Sequence, residues 1–340
     1  MATSRFFTPM DLSPLSVFGL FTVFYVLAKI FQRISIYVRP SRLGRYLHPS
    51  RNGEPPWALV TGATDGIGRA FAHELASFGF NVVIHGRNPE KLSQELRQLR
   101  DAFPQRSFRS FTADAATVAC GNCLEITSQH GQERLDGSTV DFAAIQRTLD
   151  DINLTVLVNN VGGGSKSPVY QSIKDSSEAR IASTVSLNAL FPLHLTRVLL
   201  PNLLRNSPAL VINISSMADM GLPMIASYAA SKSFLMSLTR SLSLEMGFES
   251  QGNDIEILGI RVGEVTATSH LRDPPRLFCP SAEVMAKAAL SRAGHGLGIV
   301  TGYWGHALQE LAKDLMPAPL GDKVSRQVIW ERMKREMKNS

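Results

Sequence analysis

Cysteine is scarce: Cys120, Cys123 and Cys279 are the only three in 340 residues. That number and placement exclude a disulfide framework and agree with a reducing compartment. The CGNC run at 120–123 has no second pair and no neighbouring histidine to complete a zinc site, so no metal is assigned. Charged residues are also few, at 19%. Acidic residues are missing altogether from 12–31, and no charge precedes Lys29 there. No internal repeat or low-complexity tract is found, and with 44% hydrophobic residues the composition excludes a disordered chain.

What charge there is collects in two places. Lys29, Arg33, Arg39, Arg42, Arg45 and Arg51 follow the acid-free segment, and the chain ends in ERMKREMKNS. Basic residues flanking an apolar run indicate a membrane surface rather than nucleic acid. The run itself, LSPLSVFGLFTVFYVLAKIF, is about long enough to cross a hydrocarbon core of ~30 Å. It is longer than a signal-peptide core and lacks a small-x-small cleavage site, so it is expected to be a retained anchor. Arg5 alone precedes it, and the excess of basic residues after it puts the body on the cytosolic side. The alternative is an apolar helix lying on a surface or against the body.

Residues 39–56, RPSRLGRYLHPSRNGEPP, read as a linker. Beyond it, short apolar runs alternate with segments of helical periodicity: WALVTG, NVVIHG, FRSFTAD, LTVLVNN, ALVINISS and IEILGIRVG are the expected strands. This alternation predicts a doubly wound parallel sheet in a three-layer α/β/α sandwich. About forty residues separate Asp114 from LTVLVNN, and the polar stretch 115–140 is expected to be a surface insertion. The domain reading is 1–54 anchor and basic linker, 55–310 catalytic domain, and 311–340 basic tail.

In VTGATDGIGRAFAHELA, Gly62, Gly66 and Gly68 fall where a strand turns into a helix, together with Asp65 and Ile67. Glycine there permits a tight turn and lets backbone N–H groups approach a pyrophosphate at the positive helix end. The second strand runs into VVIHGRNPEKL with no acidic residue to accept from free ribose hydroxyls; Arg87 stands there instead, which favours NADP(H). Arg69 is placed to assist. Asp114 is placed to accept from an adenine amino group and Asn160, in NNVGG, to line the cleft; both are equally good turn formers.

SYAASK at 227–232 puts Tyr228 and Lys232 one helical turn apart. A free phenol, with a pKa of ~10, is a poor acid at neutrality, and an adjacent ammonium is expected to draw it down. Tyr228 would then protonate a carbonyl as hydride arrives, with Lys232 also holding a nicotinamide ribose. By itself the pair is compatible with an ordinary helix. Upstream, VINISS ends in Ser215 and Ser216, either of which could donate to the same carbonyl; the choice stays open. Asn188, polar within an apolar helical pattern, is placed either to fix a water linking Lys232 to solvent or to be an ordinary helix-bending residue.

TGATDGIG, NNVGG, the mid-helix Asn188, NISS and YAASK together, in this order, resemble the short-chain dehydrogenase/reductase family over about residues 55–310. The resemblance implies a single Rossmann domain, nucleotide contacts from Gly62, Ile67, Arg87, Asp114 and Asn160, and an Asn188–Ser216–Tyr228–Lys232 tetrad. The anchor, PPWALVTGATDGIG, PSAEVMAKAAL and TGYWGHALQE are similar to the membrane-bound very-long-chain 3-oxoacyl-CoA reductases and steroid 17β-dehydrogenases of the endoplasmic reticulum. Against that pattern, the serine–tyrosine loop is one residue short from Ser216, and RVGEVTATS replaces a proline-containing segment. Val265 and Thr266 are expected to contact the nicotinamide amide, and 266–284 to form a lid with Leu271, Leu277 and Phe278 as its apolar wall.

The function expected is NADPH-dependent reduction of a ketone on a lipophilic substrate, 3-oxoacyl-CoA first. A steroid or specialised-metabolite ketone is the alternative within the same chemistry, and a non-catalytic NADP-binding regulator the alternative of another class. No nucleic-acid partner is expected; whether the chain pairs into a homo-oligomer is left open.

Overall fold

The computed structural model describes residues 13–118, 139–164, 167–249, 254–268, 271 and 273–339. The chain forms two compact units, 1–40 and 41–340.

The first unit holds helix α1, Pro14–Ser35, capped by the Ser13 hydroxyl accepting from the Ser16 N–H, with Pro14 in its first turn. The apolar segment is therefore helical, and Phe18, Phe21, Phe24 and Phe31 are exposed on it. Among the described residues, however, no helix is long and apolar enough to cross a membrane. A span is the part of the sequence expectation that the structure does not carry.

The second unit is a seven-stranded sheet in the order β3-β2-β1-β4-β5-β6-β7, every neighbouring pair parallel. The strands are β1 (Pro56–Thr61), β2 (Asn81–Gly86), β3 (Phe108–Thr112), β4 (Asn153–Asn159), β5 (Ala209–Ile214), β6 (Ile255–Arg261) and β7 (Ile299–Thr301). β2, β4 and β5 are buried at every position, which is why they read as unbroken apolar runs. Alternate side chains leave the sheet in opposite directions. Val60, Ile84, Val158 and Ile212 enter one core with Phe71 and Leu75 of α2 (Gly66–Phe78) and Met285 of α8 (Ala282–Leu290). Leu59, Val83, Leu157 and Val211 enter the other, with Ile145 of α4 (Phe142–Leu149) and Phe191, Leu195 and Leu199 of α6 (Phe191–Arg205). α3 (Pro89–Ala102) adds Leu92 and Leu99 to the first core.

Chain order reverses direction at β1 and β4, so the crevice beyond their carboxyl ends is where such sheets take ligands. α5 (Glu178–Val185) continues into a π-helical turn at Ser186–Leu190 and then into α6; α7 (Ala226–Glu249) follows β5. Thus the residues after β1, β4, β5 and β6 converge on one edge.

Two boundaries differ from the sequence reading. The expected linker is folded from Ser41 onward: Leu43 and Tyr46 are buried in the first core and the Tyr46 hydroxyl bonds to Glu256. The expected tail, 311–340, belongs to the same unit: it holds the end of α9 (Trp304–Asp314) and all of α10 (Ala318–Asn339), with Ile329 buried. Of the insertion, residues 119–138, with Cys120 and Cys123, lie outside the described residues; flanking Val118 and Val140 pack on the second core.

Candidate active site

The glycine-rich turn is closed from two sides. Gly62 adopts φ +66°, and a Cβ on Gly68 would lie 2.1 Å from the Gly62 carbonyl oxygen and 2.4 Å from Asn160 Nδ2. Only glycine permits that approach. Asn160 donates from Nδ2 to the carbonyls of Thr61 (2.9 Å) and Gly62 (3.4 Å), and the Thr61 hydroxyl accepts from the N–H groups of Asn160 and Val161, both at 2.9 Å. Asn160 thus staples β4 to the turn after β1. Asp65 caps α2 by accepting from the Gly66 N–H at 2.7 Å, Gly66 itself has φ +54°, and Ile67 packs on the first core. The free N–H end of α2 faces the crevice beside this turn.

A residue that the sequence reading did not single out completes the turn. His85 lies buried in β2 between the rings of Phe111 and Phe191, each centroid 4.9 Å away. Burial pushes its pKa down to about 4, so the ring is neutral. Its Nδ1 accepts from the Gly62 N–H (3.4 Å) and its Nε2–H donates to the Ala113 carbonyl (3.1 Å), tying the ends of β1, β2 and β3 together. The only hint in the sequence was a histidine inside an otherwise apolar strand.

Arg87 is exposed just beyond β2 and has no ion pair among the described residues. Arg69 does not join it: its guanidinium is held by Glu95 (3.1 Å) and Gln98 (2.8 Å) on α3. Asp114 is exposed, and its Oδ1 accepts from the Ala116 N–H, so it also builds a turn.

Ser216, Tyr228, Lys232 and Asn188 gather around the ends of β4 and β5. The Ser216 hydroxyl oxygen accepts from the Ala218 N–H (3.2 Å), and the same side chain lies beside the Tyr228 phenol and acts to lower its pKa. Ser215 faces elsewhere: its hydroxyl reaches the Lys232 carbonyl (3.2 Å) and Asp219 (3.4 Å). Of the two serines, Ser216 is the one beside the phenol. The Lys232 ammonium, buried, donates to the Ile214 carbonyl at 2.8 Å.

The electrostatics correct the sequence expectation. The Tyr228 pKa is raised, because burial disfavours the phenolate and the Asp219 carboxylate repels it, and the neighbouring Ser216 hydroxyl offsets this only in part. Lys232 does not draw it down. Burial lowers the lysine itself to about 8, against a smaller opposing pull from Asp219. What the arrangement secures is a phenol that stays protonated, the form a proton donor needs.

Asn188 is also used differently from the expectation. Its Oδ1 accepts from the Gly163 N–H, and its Nδ2 donates to the carbonyls of Gly163 and Thr184, at 3.0, 3.0 and 2.9 Å. The amide spends its donors on backbone, so it locks Gly163 against the π-helical turn rather than presenting a free group to water. A Cβ on Gly162 would lie 2.7 Å from both Asn188 Oδ1 and Lys232 Nζ, which places those two groups at one point behind the β4 end.

Thr266 is a further correction. Its N–H donates to Pro280 (3.0 Å) and its hydroxyl to the carbonyls of Leu271 (3.3 Å) and Asp273, so it ties down the 271–280 segment instead of facing a nicotinamide. Val265 is buried in the first core. In the segment itself Leu277 and Phe278 are exposed and Leu271 is half-buried. His306 of α9 supports it from below: Nδ1 accepts from Gly263 (3.1 Å) and Nε2 bonds to the Glu264 carbonyl (3.0 Å). Beneath the serines, Asp219 pairs with Arg261 (2.8 Å), which also meets Glu310 (3.2 Å); Asp219 Oδ1 is buried without a hydrogen-bond partner. Among the described residues no cluster could hold a metal ion.

A parallel sheet with a glycine turn after β1, and a serine, tyrosine and lysine beyond β5, defines a dinucleotide-dependent oxidoreductase of Rossmann type. Residues 56–274 match the family described as short chain dehydrogenase, and the chain belongs to that family. It is 31% identical over 292 residues to a very-long-chain 3-oxoacyl-CoA reductase-like protein of Arabidopsis thaliana, covering 83% of this chain and 81% of that one. It is 30% identical over 274 residues to a very-long-chain 3-oxoacyl-CoA reductase of Caenorhabditis briggsae, covering 79% and 78%. Among solved structures it resembles a 7β-hydroxysteroid dehydrogenase (TM-score 0.64, 18% identity, 81% of this chain and 98% of that). A short-chain dehydrogenase from Sphingobium yanoikuyae in complex with NADPH gives TM-score 0.57 at 20% identity, covering 77% and 97%.

Proposed function

We propose that this oxidoreductase uses NADPH to reduce the ketone of a 3-oxoacyl-CoA to the 3-hydroxy product. The cofactor is NADP(H). Bound in the crevice, it supplies the hydride. Gly62, Asp65, Gly66, Ile67 and Gly68 form its pyrophosphate cradle, Arg87 pairs with the 2′-phosphate, and Asp114 and Asn160 flank the adenosine side. Val265 lines the nicotinamide side through its backbone. The observation that carries the reading is the placing of Ser216 beside the Tyr228 phenol, with a buried Lys232 one helical turn on that donates to the Ile214 carbonyl.

Two hydroxyls then meet one carbonyl oxygen. Ser216 donates a hydrogen bond that stabilises the charge developing on that oxygen, and Tyr228 delivers the proton. Lys232 keeps positive charge behind the phenol as it loses its proton and holds the nicotinamide ribose. Asn188 keeps the Gly162–Gly163 backbone, against which Lys232 rests, from moving.

The acyl-CoA class is supported by the names of the relatives similar over most of the chain, and by the apolar Leu277 and Phe278 exposed in the segment after β6. The exposed phenylalanines of α1 and the basic residues after it support attachment to the endoplasmic reticulum membrane, with the catalytic unit in the cytosol. NADPH oxidation measured on 3-oxoacyl-CoAs of graded length, beside steroid ketones, tests the substrate. Tyr228→Phe should abolish turnover while nucleotide binding persists, and Arg87→Glu should weaken NADPH selectively over NADH. Full turnover by Tyr228→Phe, or none by the wild-type chain on any ketone, would overturn the reading.

A further inference from the structure

α10 reaches back to the mouth of the site. The Glu336 carboxylate accepts from the N–H groups of Val169 (2.6 Å) and Tyr170 (3.3 Å). One turn earlier, Arg332 pairs with Glu264 at 3.2 Å, just beyond β6. Ile329, Arg332 and Glu336 recur at helical spacing on one face, and Ile329 is buried, so the helix is pinned by its apolar residue and clasps two loops with its charged ones.

The loop so held is a wall of the cleft at the phenol. Val169 and Gln171 share that cleft with Ile173, Arg180, Met224 and Tyr228. Arg180 grips the same loop from the other side, donating to the carbonyls of Pro168 (2.6 Å) and Val169 (3.2 Å), and the Gln171 N–H donates to Met224 (2.8 Å). The space left between the walls is about 10 Å³, roughly enough for one water. A bulky group lodged in this cleft must move a wall, and moving this one breaks the bonds to Glu336.

We propose that Glu336, set by Ile329 and Arg332, is a specificity-determining latch: α10, which lies outside the residues that match the family, governs how bulky a ketone reaches Tyr228. The inference rests on the reductase reading for its substrate, but the latch itself can be tested without one. Hydrogen–deuterium exchange on the full chain should show the amides of 167–171 exchanging about tenfold faster or more in Glu336→Ala than in wild type, and by a smaller factor in Glu336→Gln, which keeps one acceptor oxygen. In turnover, Glu336→Ala should raise kcat/KM for the bulkiest accepted ketone relative to the shortest by about fivefold, with NADPH affinity unchanged.

Unaltered exchange in 167–171 would overturn the latch. Faster exchange with an unaltered ratio of kcat/KM values would reduce Glu336 to a local tie and overturn its part in specificity. If the wild-type chain reduces no ketone, the reductase reading fails, while the exchange measurement still decides the latch. Thermal melting of both variants within a few degrees of wild type separates these outcomes from unfolding.

Discussion

Replacing Gly162 by alanine tests the place of Lys232 in the reaction. Gly162 is not in the left-handed region, so alanine fits its backbone. The new methyl would lie 2.7 Å from Lys232 Nζ and 2.7 Å from Asn188 Oδ1, where ordinary contact begins near 3.4 Å, so a neighbour must retreat by about 0.7 Å. Asn188 is fixed by three bonds to backbone and Lys232 by one, from the end of a flexible stem. Both contacts must relax, and the ammonium, on the more flexible stem, moves further and loses its bond to Ile214. A hydrogen bond to a charged group contributes ~1.5–3 kcal/mol, so kcat should fall roughly 10- to 100-fold. Stability should fall by a comparable ~1.5–3 kcal/mol, because the same bond is lost from a buried ammonium. Gly247→Ala, in α7 with nothing within 4 Å of the new methyl, is the control and should leave kcat alone. NADPH oxidation under saturating ketone, with nucleotide affinity from fluorescence titration and a melting curve, measures all three. An unchanged kcat in a folded, nucleotide-binding Gly162→Ala protein would refute the placement of Lys232 in the reaction.

Two other outcomes follow from charge and from α1. Lys232 loses its proton near pH 8 and the Tyr228 phenol holds its own beyond the usual tyrosine range, so kcat/KM for reduction should be level at neutral pH and fall above about pH 8; a decline beginning only above pH 10 would contradict the role given to the ammonium. Removing the nearby negative charge with Asp219→Asn should move that decline to lower pH. The same lysine shift makes the fold gain stability as pH rises from about 8 toward the ordinary lysine value, since the unfolded chain binds the proton more tightly across that window. Deleting residues 1–40 should release the protein from membranes into the soluble fraction with NADPH affinity intact; equal sedimentation of the deleted and full chains would remove α1 as the attachment.

The strands were legible because a parallel sheet buries both faces: Asn81–Gly86 and Ala209–Ile214 coincide with NVVIHG and the start of ALVINISS. β7 was missed because three residues carry too little periodicity. Leu43 and Tyr46 sit singly in a basic stretch, and only their burial shows that the expected linker is folded. Tyr228 and Lys232 were legible from helical spacing, but the expected downward pull on the phenol was not borne out, since spacing carries no information about burial or about Asp219.

Sequence alone determined the family, the sheet, the glycine turn and the residue types at the site, because each leaves a local mark: apolar runs, glycine where a side chain cannot fit, a tyrosine one turn from a lysine. Tertiary structure decided which serine lies beside the phenol, that Asn188 spends its amide on Gly163 and Thr184, that Thr266 turns toward Leu271, Asp273 and Pro280, and that a helix from the far end of the chain clasps the 167–171 loop. Those outcomes depend on which atoms lie within about 3 Å of one another, and residues more than a hundred and fifty positions apart, such as Val169 and Glu336, leave no periodic trace of that contact.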